Sequence, residues 1–173
     1  FMGMLRDSRL VAKRLSYICS GSRWTSDRLS ETPQAVSWLD DDADLQMRPR
    51  EVLAGEVASL LRRRLLGMHS ENYEQVATQA ISALLAIRSR EQLRSAMADT
   101  LDGVDPLRGA AALSQVTEVV LDGAIRVAHA VAIAQTQGPQ ALEKGVDETG
   151  HLLAAHAEHA IIAMGRLGGA ELS

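Results

Sequence analysis

The chain has 173 residues, 46% of them hydrophobic, which suits one domain with a real core, alone or with part of a second, and argues against global disorder. Lys and Arg number 18 against 22 Asp and Glu, a net charge of −4, so the basic excess of a dedicated nucleic-acid binder is absent. No uninterrupted apolar run reaches the ~18 residues a membrane span needs, and the single Cys19 excludes an internal disulfide or a cysteine-based zinc site, which points to a reducing, cytoplasmic setting.

The chain opens Phe1-Met2-Gly3, without an initiator methionine or a signal-peptide pattern, and reads as an internal piece of a longer protein. Its first predicted helix runs from Ser8 to Ser20. Ser8 is the N-cap, Leu10, Val11, Leu15 and Ile18 form the apolar stripe, and Gly21 is the stop. A short helix is expected over Trp24 to Leu29. Thr32-Pro33 restarts another as N-cap and first-turn proline, ending at Trp38-Leu39. Asp40, Asp41, Asp42 and Asp44 then open a loop, and some of these carboxylates are expected to pair with Arg48 or Arg50. Pro49-Arg50-Glu51 starts a helix that runs to Leu66 and stops at Gly67.

From Tyr73 to Leu101 the pattern is helical with a change of face. Tyr73, Val76, Ala77, Ala80, Ile81, Leu84 and Ile87 share one stripe, while Leu93 and Met97 fall nearly opposite. Either the helix breaks near Ser89 or it is buried on different sides along its length. Asp105-Pro106 caps the next helix, with Leu113, Val116, Val120, Val127 and Val131 on one face and Val119, Leu121 and Ile125 widening it. Such apolar coverage predicts a helix near the centre of a bundle. Gly138-Pro139 ends it, and 137–150 reads as a loop. Ala160-Ile161-Ile162-Ala163-Met164-Gly165 is the sole strand candidate, with a buried helix end as the alternative that the pattern leaves open. The expected fold is therefore all-α, an antiparallel helical bundle, with a short C-terminal strand leading into a glycine turn. The expected division is 1–150 for the helical region and 151–173 for the start of a second domain.

Most candidate chemistry reads more simply as structure. The aspartates at 40–44 lack the glycine turn and closing glutamate of a calcium loop, so capping and solvation explain them. Arg62-Arg63-Arg64 spread around the helix and suit its negative C-terminal end. His151, His156 and His159 do not form a His-Glu-x-x-His pair and read as surface histidines. Ser22 and Ser26 have no nucleophile elbow, and Cys19 reads as core filler. No catalytic or metal-binding residue is assigned. Gly165, Gly168 and Gly169 are different: glycines after an apolar run let backbone amides approach phosphate oxygens closely. The spacing is neither G-x-G-x-x-G nor a P-loop.

The string Ile161-Ile162-Ala163-Met164-Gly165-Arg166-Leu167-Gly168-Gly169-Ala170-Glu171-Leu172 resembles the opening of a nucleotidyltransferase domain in the glutamine synthetase adenylyltransferase family. So do Gly21-Ser22-Arg23-Trp24 through Leu29, Thr32-Pro33, Val36, Trp38-Leu39-Asp40, and Ile87-Arg88-Ser89-Arg90-Glu91-Gln92-Leu93-Arg94 with Ala98-Asp99. The resemblance implies the helical region ahead of a catalytic half, closest to the adenylylating one, in a bifunctional enzyme that adds AMP to glutamine synthetase and removes it. It implies ATP and magnesium in the parent protein, with magnesium held by aspartates expected after Ser173, and so an inactive piece. Gly165, Gly168 and Gly169 are then nucleotide-binding. The implied partners are glutamine synthetase and the PII nitrogen-signal protein, with neither nucleic acid nor membrane. The competing reading is a stand-alone helical interaction module, separable by whether an Asp-x-Asp follows Ser173 within about ten residues.

Overall fold

Ser8 accepts a hydrogen bond from the Val11 amide at 3.3 Å through its Oγ and so opens α1, Arg9–Gly21, as the sequence predicts. Ser22 then serves both sides of a tight corner. Its amide closes α1 on the Ile18 carbonyl at 3.0 Å, and its Oγ accepts from Thr25 to open α2, Arg23–Glu31. Pro33 starts a 3-10 helix, Pro33–Asp40, and Asp41 caps the single turn α3, Asp42–Leu45. Three long helices follow: α4, Arg50–Leu65; α5, Tyr73–Asp102; and α6, Pro106–Thr136. A last turn, α7, spans Gly165–Gly168. This computed structural model describes residues 8–65, 68, 71–103, 106–136 and 161–170.

Helices α4, α5 and α6 form an up-down-up bundle. Arg64 reaches Gln79 at one end of α4 and Glu56 meets Arg90 nearer the other, so α4 and α5 run antiparallel. Gly109 faces Ser95 and Asp99 while Gly123 faces Leu84, so α5 and α6 do too. The bundle core holds Leu53, Val57, Leu61, Leu84, Ile87, Val116, Val120 and Val127. Of the predicted α6 stripe, Val116, Val120 and Val127 are buried, Val120 at 7% exposed, while Leu113 and Val131 are half-buried.

A second, smaller core lies at the N-terminal end. Val11, Ile18, Leu29, Ala35, Val36 and Leu39 pack against Leu93 and Met97. Helix α5 thus contributes to both cores from opposite faces, with no break at Ser89. The face change in the sequence reflects two partners along one continuous element.

Several expectations are corrected. The strand candidate does not form: 161–164 has no regular secondary structure, and no strand occurs among the described residues. Ile161, Ile162 and Met164 are exposed, and an extended apolar tetrapeptide makes a strand only beside another strand. Asp42 pairs with Arg14, not with Arg48 or Arg50. Cys19 is exposed on α1 rather than in the core. Of the two tryptophans, Trp38 packs against the N-terminal core, while Trp24 lies outside it and is 47% exposed. The 137–150 loop, the stops at Gly67 and Gly138, the cap at Asp105 and the three histidines at 151, 156 and 159 lie outside the described residues.

Candidate functional site

The glycine turn folds on itself. Gly165 takes a left-handed backbone, φ +62°, which a glycine adopts without strain. The Gly169 amide donates to the Gly165 carbonyl at 2.9 Å, and the Ala170 amide donates to the Leu167 carbonyl at 3.1 Å. At Gly168 a Cβ would stand 2.6 Å from the Ala163 carbonyl oxygen, so any side chain there would force the turn open. Gly169, with φ −83°, has an ordinary right-handed backbone. The three sequence-predicted residues are thus brought together, and two of them are glycine for geometric reasons. With its proton on the Gly165 carbonyl, the Gly169 amide could serve a phosphate only in an opened form of the turn.

A denser group of charges, missed by sequence reasoning, lies where α5 passes between the two cores. Glu91 is fully buried. Arg48, on the connector before α4, donates from Nε to Glu91 Oε1 at 2.9 Å, and Arg90 Nε donates to the same oxygen at 3.2 Å. Arg48 Nη2 lies 2.6 Å from that oxygen and Arg94 Nε 3.3 Å from Oε2, both as ion pairs too misaligned for hydrogen bonds. Arg90 grips Glu56 with both terminal nitrogens, at 3.1 and 2.8 Å, and Arg48 Nη1 reaches Glu56 at 2.9 Å. The Arg94 guanidinium lies 4.1 Å above the Trp38 ring. Burial pushes the Arg94 pKa below its ordinary value, opposed first by Glu91. Both carboxylates are engaged in ion pairs with the three guanidiniums, so this group ties elements together. Arg90, Glu91 and Arg94 stand in the string that carries the family resemblance. Their sequence signal is a charged stretch placed where the apolar face of α5 changes sides.

The remaining clusters are spent internally. Asp40 accepts from Ser8 Oγ at 3.1 Å and Asp41 caps the Ala43 amide at 2.9 Å. Among the described residues no three His, Cys, Asp or Glu side chains could hold a metal ion together. Ser22 and Ser26 bond only within their own corner, Ser26 Oγ donating to the Ser22 carbonyl at 2.8 Å. A cleft of about 400 Å³ between α3, α5 and α6 is lined by Gln46, Ser95, Asp99, Asp102 and Arg108. Partial burial there raises the pKa of Asp99 above the ordinary 3.8. No helix among the described residues is long and apolar enough to cross a membrane.

Residues 12–173 match the family described as glutamate-ammonia ligase adenylyltransferase. The chain belongs to that family. Among its curated relatives, each named bifunctional glutamine synthetase adenylyltransferase/adenylyl-removing enzyme, one from Leifsonia xyli is 35% identical over 99% of this chain. Others from Bifidobacterium longum and Cutibacterium acnes are 33% and 30% identical over all of it. The chain spans 14% of the length of each of these relatives. No solved structure matches it. Magnesium, implied by the family resemblance, does not fit the described residues of this adenylyltransferase-family chain: 161–170 carries no carboxylate, and elsewhere among them no three His, Cys, Asp or Glu side chains are placed to hold a metal ion.

Proposed function

We propose that this chain is the helical region leading into the adenylylating catalytic half of a bifunctional enzyme that adenylylates and deadenylylates glutamine synthetase. The observation that carries the reading is the family match over 12–173, which takes in the helical body and the glycine turn together. In this reading the long protein uses ATP and magnesium, with the metal held by chain outside this sequence, and controls nitrogen assimilation in the cytoplasm. Glutamine synthetase is its protein substrate and PII a regulatory partner. The helical body carries the turn, and Gly165, Gly168 and Gly169 border the nucleotide phosphates.

Two glycine substitutions separate turn geometry from nucleotide contact. Gly168→Val drives a side chain into the Ala163 carbonyl and breaks the turn itself. Gly169→Val leaves an allowed backbone, φ −83°, so it tests bulk at this position with the turn geometry kept. In the full-length protein Gly169→Val is expected to cut transfer of labelled AMP to glutamine synthetase at least tenfold with an unchanged circular dichroism spectrum, one decade corresponding to about 1.4 kcal/mol of barrier. Full transfer by Gly169→Val would refute the placement of the nucleotide at this turn. The 173-residue chain alone is expected to transfer no AMP.

A further inference from the structure

The two cores have no apolar continuity of their own: one is built on α4, α5 and α6, the other on α1, α2, the 3-10 helix and the far half of α5. Between Ile87, which belongs to the first, and Leu93, which belongs to the second, Glu91 is the one fully buried side chain. Arg90 and Arg94 flank it on α5, and the rest of the network comes from other parts of the molecule. Arg48 comes from the connector that leaves the N-terminal lobe, Glu56 from α4 of the bundle, and Trp38, beneath Arg94, from the 3-10 helix. We propose that this network is a latch that couples the N-terminal lobe to the three-helix bundle and holds them at one angle as a single cooperative unit.

The physical case rests on direction. Apolar packing is non-directional, so two greasy surfaces on one helix tolerate small rotations. A buried carboxylate held by guanidiniums does not, because any displacement leaves a desolvated charge without its partner. Arg48 is the critical member, since it alone touches both Glu56 and Glu91 from outside α5. The energetic gain over an apolar core is small or absent for such networks, so their effect appears as coupling and fixed geometry.

The placement of tryptophan makes the coupling measurable. Trp24 and Trp38 are the sole tryptophans, and both lie in the N-terminal lobe, on α2 and the 3-10 helix. Their fluorescence reports that lobe, whereas far-ultraviolet circular dichroism is dominated by the long bundle helices. In urea, the parent chain is expected to unfold with coincident transitions by the two probes. Leu61→Ala, in the bundle core, should lower both midpoints together by about 1 M. In an Arg48→Met background the fluorescence transition should precede the dichroism transition by about 1 M or more, and Leu61→Ala should then leave the fluorescence midpoint unmoved. If Arg48→Met yields no cooperative transition, Arg48→Lys, which keeps the charge but cannot span both carboxylates, carries the same comparison. Coincident transitions in the Arg48 variant, or a fluorescence midpoint that still follows Leu61→Ala, would overturn the proposal.

Discussion

Two glycines inside long helices should respond to alanine with opposite signs. Gly55 lies in α4 with nothing within 4 Å of where a Cβ would stand. Alanine there gains helix propensity of roughly 0.5–1 kcal/mol with no steric cost. Gly123 lies in α6, where a Cβ would stand 2.9 Å from Leu84 Cδ2, 3.0 Å from Val57 Cγ1 and 3.2 Å from Leu84 Cδ1. Val57 and Leu84 are each 1% exposed, so neither methyl can retreat into solvent, and the β-branched valine has little rotamer freedom. Overpacking of this kind costs about 1–3 kcal/mol, against a propensity gain of about 1 kcal/mol, leaving a net loss of about 1 kcal/mol. Thermal melts by circular dichroism should place Gly55→Ala about 2 °C above the parent and Gly123→Ala about 2–4 °C below it. Gly123→Val should lose about 3 kcal/mol or more, because it adds two methyls to the same overlap. A Gly123→Ala protein as stable as the Gly55→Ala protein would refute the close three-helix contact at this point.

The other expectations are briefer. Val120→Asp places an unpaired carboxylate in the bundle core and should abolish the cooperative melt at neutral pH, whereas an unchanged melt would remove α6 from that core. Trp38→Ala should cost about 3 kcal/mol and Trp24→Ala under about 1 kcal/mol in urea titrations, since the first packs a core and stacks on Arg94 while the second is half exposed; equal costs would refute the separation. Asp99, whose pKa is raised by burial, favours the folded state while protonated. That contribution is present below the ordinary pKa of 3.8 and is lost as pH rises through the raised value. Asp99→Asn should therefore stabilise the chain at neutral pH, with the advantage vanishing on acidification. A gain independent of pH would exclude the carboxyl as its source.

Much of the helical layout was legible because its signals are local. Ser8 as N-cap, Pro33 at a first turn and Pro106 as the first residue of its helix each act within one turn of the chain. The glycine turn was legible as a motif, and the resemblance it carries led to the family. The N-terminal aromatics were not, since nothing local tells an indole that docks on a core from one that lies over Arg28 at 5.9 Å in solvent. The 161–164 strand failed for a related reason: an apolar extended run becomes a strand through a partner strand, and none is among the described residues.

The sequence by itself determined that this chain is helical, where most of its helices begin, and which family it belongs to. Those properties follow from caps, periodicity and a long motif, all read within short windows. Tertiary structure alone decided that α5 runs unbroken through two cores, that Asp42 serves Arg14, and that Glu91 is buried among Arg48, Arg90 and Arg94. Each of these depends on residues that no periodicity relates: Arg48 and Glu91 are 43 positions apart and meet only when the connector before α4 crosses α5. A charged residue written between two apolar stripes is compatible with a solvated face or a buried one, and only the second layer of helices selects between them.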